Sequence, residues 1–234
     1  MPIRDFRGKT FVSFMDISGF KDMMKRGDLA WRNLGHFFDT GYRALLSTRD
    51  NTYSIEGLFV SDCGILFVNT RDVPEEDKNI DNPEALKELL KVVKDINKRS
   101  IDQGYMLKTS ISWGEFRYEN KIVFEGIEKN AIYGGAYRTA YEDNEVNKPT
   151  IKPGICRLPI ELMPTNIRAY LDNHDLVNDD IFKYIKKVKK HYNYYWMCSN
   201  NYPIETFEKR YDSANNLIYK GYLVALKNVS TIQV

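Results

Sequence analysis

Apolar positions along the chain recur with two periods, and the change from one to the other marks the elements. Thr10-Phe11-Val12-Ser13-Phe14-Met15 is a near-continuous apolar run closed by Asp16 and followed by Ser18-Gly19. Such a run predicts a central strand that delivers a carboxylate to its C-terminal end. Phe20, Met23 and Met24 then fall at helical spacing up to Gly27. A longer helix is predicted from an Asp28 N-cap to Leu46, with Leu34, Phe37, Phe38, Tyr42, Leu45 and Leu46 on its apolar face. Tyr53 to Ser61 and Gly64 to Asn69 are apolar runs around Ser61-Asp62-Cys63-Gly64, the pattern of a hairpin.

The polar stretch from Thr70 to Asp81 predicts a mobile loop. Asn82-Pro83-Glu84 supplies a cap, a proline at the first helical position and an acid in the first turn. Leu86, Leu89, Leu90, Val93, Ile96 and Ile101 form the buried face of that helix, and Gly104 ends it. Leu107 to Trp113 is a strand stopping at Gly114-Glu115, and Arg117 to Phe124 continues the sheet. Strand, helices, hairpin, helix, strand is the β-α-β-β-α-β order of an α+β, ferredoxin-like core. Gly134-Gly135 opens a helix through Glu142; its first N–H groups suit a phosphate, or the glycines simply make a tight turn.

After Pro149 the pattern predicts a helix over Asn178 to Lys190, a strand at Tyr192 to Trp196 and another at Leu217 to Leu226. The Lys186, Lys187, Lys189 and Lys190 cluster reads as a solvated face or an anion patch. Residues 1–149 are expected to form the core, with 150–234 an elaboration packed on the same domain. A net charge of +2 over 234 residues gives no reason to expect a nucleic-acid or membrane partner. No signal-type apolar segment or membrane span stands out, so the protein is expected to be cytoplasmic. Cys63, Cys156 and Cys198 are too few and scattered for a disulfide framework or zinc site.

Asp16 and Asp62 carry the candidate chemistry. If their strands pair, two carboxylates meet at one sheet edge and repel unless a cation lies between them, most simply a divalent ion that also binds phosphate. Two such ions can activate a hydroxyl and neutralise a polyphosphate leaving group. Either Asp alone is equally well explained by strand-end and turn chemistry.

Four motifs stand in order: Phe14-Met15-Asp16-Ile17-Ser18-Gly19-Phe20, Val60-Ser61-Asp62, Ile111-Ser112-Trp113-Gly114-Glu115 and Tyr133-Gly134-Gly135-Ala136-Tyr137-Arg138-Thr139-Ala140-Tyr141. Together they resemble the catalytic domain of class III nucleotidyl cyclases, and most closely the stand-alone pyrimidine cyclases of the Pycsar antiphage system. The resemblance covers roughly Thr10 to Asn144. It implies a head-to-tail homodimer with composite sites, two Mn²⁺ or Mg²⁺ ions per site on Asp16, Asp62 and the Ile17 carbonyl, and Phe14, Ile17, Ser18, Gly19 and Phe20 around the bound nucleotide. The implied reaction converts a nucleoside triphosphate to a cyclic nucleotide and pyrophosphate, the product being read by a separate effector.

The departures from the family pattern matter as much. Where purine cyclases carry a base-reading Lys and Asp, this chain has Leu58 and Ala131. The resemblance therefore implies a pyrimidine substrate, UTP ahead of CTP, with Tyr53, Phe59 and Tyr137 expected to narrow the base pocket. Where the family helix carries an Asn and then a transition-state Arg, this chain has Arg138 and Glu142. Arg138, one turn earlier, is expected to reach the same phosphate. A catalytically silent, cyclase-like nucleotide-binding or interaction protein is the alternative. A diguanylate cyclase or palm-type polymerase lacks its signature at the hairpin, and Ser18 stands where an Asp-x-Asp phosphatase needs its second acid.

Overall fold

β1 (Phe6–Ile17) leads through a five-residue helix, α1 (Phe20–Met24), into α2 (Asp28–Ser47), followed by the hairpin β2 (Tyr53–Val60) and β3 (Cys63–Thr70). Then come β4 (Lys78–Asn79), α3 (Pro83–Asp102), β5 (Leu107–Phe124), β6 (Ile127–Tyr133) and α4 (Gly135–Tyr141), which runs directly into a π-turn at Glu142–Val146. The remainder contributes β7 (Cys156–Pro159), α5 (Thr165–Leu171), β8 (Ile185–Val188), β9 (His191–Tyr194), α6 (Ile204–Ser213) and α7 (Ile218–Ser230). This is a computed structural model, and it describes residues 3–71, 78–124, 127–213 and 218–230.

Among the described residues one sheet runs β2-β3-β1-β5-β7-β9-β8, with β4 paired to β1 and β6 to β5. The segment β2-β3-β1-β5, with β1 antiparallel to both neighbours, is the ferredoxin-like core expected from the element order. β1 is central because it can be: Thr10 to Met15 are all buried, so both of its faces are covered. α2 and α3 pack together beside the sheet. The α3 start is capped as its sequence demands, with the Asn82 side chain accepting from the Glu84 amide at 2.8 Å. Its six expected core residues are all buried.

Several local expectations are corrected. Gly27, not Asp28, precedes α2, and Asp28 sits in the first turn, where its charge meets the helix dipole. The buried stripe of α2 is rotated toward Phe37, Gly41 and Ala44, leaving Tyr42 and Leu46 exposed. The cause is Phe59, whose ring lies against Gly41 so closely that an added Cβ would stand 2.0 Å from it. β5 does not stop at Gly114 but runs on to Phe124, since Gly114 takes a φ of 150 that keeps the strand paired to Thr10. Part of the expected loop at 70–81 is a strand, because β4 pairs parallel with Gly8 and Lys9; residues 72–77 lie outside the described residues.

The C-terminal third departs most. Asn178 to Lys190 is not a helix: a 3-10 turn at Phe182–Tyr184 leads into the β8–β9 hairpin, whose turn uses Lys189 at φ 55. The predicted strand at Tyr192 to Trp196 ends at Tyr194, although all four aromatic side chains there are buried. The predicted strand at 217–226 is, from Ile218 on, the helix α7, which buries Ala225, Leu226 and Val229 at helical spacing; residue 217 lies outside the described residues. β7 pairs parallel with β5 and antiparallel with β9, so these residues extend the same sheet.

Candidate active site

Sheet register builds the site. Asp16 stands opposite Cys63 on β3 and opposite Lys108 on β5, so the three side chains share one face at the C-terminal end of β1. The two-residue β2–β3 turn, with Ser61 at φ 54, carries Asp62 back toward the same edge, and the Ile17 amide donates to the Asp62 carbonyl at 3.0 Å. One ligand atom each from Asp16, Asp62 and Cys63 lie within 4.8 Å of one another. Two carboxylates and a thiol at that separation form a group that could hold a metal ion.

The electrostatics agree. Burial pushes the Asp16 carboxyl up to about 6, with Glu145 and Asp62 adding to the rise and Lys108 opposing it. Burial also pushes the Cys63 thiol up to about 12, reinforced by Asp16 and Asp62, so the sulfur is a neutral neighbour at ordinary pH. Lys108 is the counter-ion that the sequence pattern gave no means of singling out. Its Nζ is 3.1 Å from Asp16 Oδ2 and 2.7 Å from Glu145 Oε1. Burial alone would lower the Lys108 pKa, but Glu145 and Asp16 outweigh it and hold the ammonium charged.

Glu145 belongs to the π-turn, and that turn is tied down from below. The Asn144 amide donates to the carbonyls of Phe14 at 3.2 Å and Lys108 at 3.1 Å, clamping the two central strands beside Asp16. Arg157 on β7 donates through Nε to Asp143 Oδ2 at 2.9 Å and through Nη2 to the Asp143 carbonyl at 2.8 Å, while Ser110 donates to the same carboxylate at 2.7 Å. Both Asp143 and Arg157 are buried, so this pair fixes the turn through a fully bonded ion pair.

The Ile17 to Phe20 loop is only partly the open row of amides that the motif suggests. The Ile17 and Ser18 amides are already used, the latter donating to the Met106 carbonyl at 2.9 Å. What remains at the start of α1 is Gly19, at φ 74, and Phe20, whose amides an α-helix does not itself consume. The Ser18 hydroxyl is buried with no hydrogen-bond partner among the described residues. The Met106 amide in turn donates to the Tyr219 hydroxyl at 2.9 Å, and the Tyr219 ring lies 3.9 Å from where a Gly19 Cβ would be. The C-terminal helix thus reaches the loop through one peptide unit.

The remaining expected residues are distributed as follows. Phe14 is buried on the Asp16 face, its ring packed against Tyr137 and edge-on to Tyr141. Leu58 and Ala131 are half-buried, on β2 and β6 respectively. Phe59 cannot narrow a pocket beside Leu58, because it points to the opposite face and packs on Phe37, Phe38 and Tyr42. Tyr53 shares the strand parity of Phe59. Arg138 is exposed on α4 and pairs at 4.0 Å with Glu142, not with Asp16 or Asp62.

No family profile matches the chain, and no curated protein matches its sequence. Solved structures do match its fold. The guanylate cyclase domain of RhGC from Catenaria anguillulae in complex with GTP aligns at a TM-score of 0.54 and 10% identity, over 82% of this chain and 96% of that one. The non-canonical dimeric guanylyl cyclase domain of the RhoGC fusion protein from Blastocladiella emersonii gives 0.51 and 13% identity over 82% and 96%. A class III adenylyl cyclase-like ATP-binding protein from Pseudomonas aeruginosa gives 0.50 and 14% identity over 67% of this chain, which spans 34% of that protein. The fold is that of nucleotidyl cyclase catalytic domains. Among the described residues no helix is long and apolar enough to cross a membrane.

Proposed function

We propose that this chain is a nucleotidyl cyclase that converts a pyrimidine nucleoside triphosphate, UTP before CTP, into its 3′,5′-cyclic monophosphate and pyrophosphate. The observation that carries the proposal is the convergence of Asp16 and Asp62 at one sheet edge, with Cys63 within 4.8 Å. Asp16, raised to about 6 by burial, ionises most readily when a cation answers it. Asp16, Asp62 and the Ile17 carbonyl would hold two divalent ions, Mn²⁺ or Mg²⁺. Those ions, when bound, supply charge that lowers the 3′-hydroxyl pKa and stabilises the departing pyrophosphate.

The chain's own groups do the positioning. Lys108 balances Asp16 and Glu145 before substrate arrives, and the Gly19 and Phe20 amides at the start of α1 face the phosphates. Phe14, Ser18 and the Tyr137 ring line the floor of the site. Pyrimidine preference follows from Leu58 and Ala131, which offer no hydrogen bond at the two positions where a purine edge would be read. We place Arg138 in the site of a partner subunit in a head-to-tail homodimer, since within one chain it faces solvent. The protein is proposed to act in the cytoplasm as a signal source in antiphage defence, its product read by a separate effector, with residues 150–234 packed on the catalytic domain.

One observation favours a second function. Glu142 lies within 4.0 Å of Arg138 and pairs with it, which withdraws the only arginine on α4 from phosphate. A silent nucleotide-binding protein would bind without turnover. Purified protein incubated with each of the four ribonucleoside triphosphates and Mn²⁺ separates the two. Pyrophosphate and cyclic UMP are expected, binding without product establishes the silent alternative, and faster turnover of ATP or GTP overturns the pyrimidine assignment.

A further inference from the structure

The far end of β2 from the Ser61-Asp62 turn carries a cavity of about 610 Å³ that the cyclase chemistry does not use. One wall is the face of α2 that the Phe59–Gly41 packing turned away from the core: Tyr42, Leu45 and Leu46, with Ile55 of β2 beneath them. Tyr42 is 43% exposed and Leu46 58%, so with the half-buried Leu45 they leave apolar surface of α2 lining this concave space. A volume of this size, with an apolar lining and a few polar groups at its mouth, is that of a small-molecule site.

The polar groups at the mouth are arginines. Arg4, Arg49 and Arg71 all line the cavity, and Glu56 is the one acid among its described lining residues. Glu56 is already satisfied: its carboxylate accepts from the Arg4 amide and from Arg4 Nε, each at 2.6 Å, and from Asn69 at 3.0 Å. Arg4 and Glu56 therefore cancel. Arg71 donates to the Arg49 carbonyl at 2.8 Å, and among the described residues its one acidic partner is Asp50, 94% exposed and 3.9 Å away. Arg49 has no ion pair among the described residues. Among the described residues, these two guanidinium groups at the rim of an apolar cavity have no buried counter-charge.

We propose that this cavity binds a small organic anion, an apolar ring or chain lying against Tyr42, Leu45 and Leu46 with a phosphate or carboxylate held by Arg49 and Arg71. Arginine suits either headgroup through paired N–H donors. Along β2 the cavity lies about 20 Å from Asp62 at the usual rise of a strand, so it is separate from the metal-binding end of the same chain.

The test uses the full chain in EDTA, so that it does not depend on metal or turnover and fails independently of the cyclase assignment. The probe is 8-anilinonaphthalene-1-sulfonate, followed by fluorescence. One saturable site is expected, weakened about tenfold or more in Arg49→Glu and in Leu46→Asp, both surface positions, and unchanged in Asp62→Asn. Displacement by UMP assigns the phosphate class and displacement by octanoate the carboxylate class. The proposal is overturned by the absence of saturable binding below about 1 mM, by binding indifferent to both cavity variants, by loss of binding in Asp62→Asn, or by displacement with neither competitor.

Discussion

Lys108 Nζ lies 3.1 Å from Asp16 Oδ2, and β1 and β5 set the two residues directly opposite one another. The same ammonium lies 2.7 Å from Glu145. A protein cation therefore already answers Asp16, while Asp62 on the neighbouring turn has no such partner within the described ion pairs. Any divalent ion bound between the two carboxylates must compete with Lys108 for Asp16. Lys108→Met should accordingly tighten Mn²⁺ binding in the absence of nucleotide by about tenfold, and Lys108→Arg should not. Calorimetric titration of both variants reads this directly, and equal affinity in all three proteins would remove Lys108 from the site.

Asp16 should make stability fall with rising pH. A carboxyl raised to about 6 in the folded protein, against an ordinary value of 3.8, binds its proton more tightly folded than unfolded. Its contribution is neutral below the unfolded value and becomes destabilising as pH rises through the folded one. In EDTA, Asp16→Asn should therefore be more stable than the natural protein by roughly 1–2 kcal/mol at pH 7.5, the gap closing near pH 4. Urea unfolding at the two pH values measures it; an unchanged difference between them would show that Asp16 is not desolvated.

Tyr219→Phe should leave the fold intact and loosen the loop after Asp16. The hydroxyl is the acceptor for the Met106 amide at 2.9 Å, and the Met106 carbonyl in turn accepts from Ser18. Losing it strands one amide at a cost of about 1–2 kcal/mol. The nucleotide KM is expected to rise several-fold with kcat less affected, because the loop is proposed to position phosphate. A stability loss with unchanged KM would confine Tyr219 to a packing role.

Arg157→Leu should be among the most damaging single changes outside the carboxylate pair. It leaves Asp143 charged and buried with Ser110 as its remaining side-chain partner, and releases the turn that carries Glu145. Breaking one side of such a pair costs about 3–5 kcal/mol. The urea midpoint should drop accordingly, and the double variant with Asp143→Leu should recover part of the loss.

Subunit mixing tests the composite site. Asp16→Asn and Arg138→Ala proteins, each expected to be inactive, should regain activity when allowed to exchange, because one site of the proposed heterodimer then has both groups intact. Exchange confirmed by mass with no activity would place Arg138 outside the reaction.

The sequence alone determined the first half of this protein. Strand, paired helices, hairpin, helix and strand are each written in local periodicity and caps, and their order admits few topologies, so the ferredoxin-like core could be read from it, while the meeting of Asp16 with Asp62 waited on the pairing of β1 with β3. Local pattern could not fix what depends on which face meets which. The rotation of α2 was set by Phe59 reaching into Gly41, a contact between residues that periodicity treats independently. Lys108 became a counter-ion only through the β1–β5 register, and Glu145 only through the Arg157–Asp143 pair drawn from β7. In the C-terminal third, Ile218 to Ser230 is apolar enough for either period, and packing on the far side of α3 decided for helix. Short apolar runs carry no length cue to separate strand from helix, so there the tertiary structure chose.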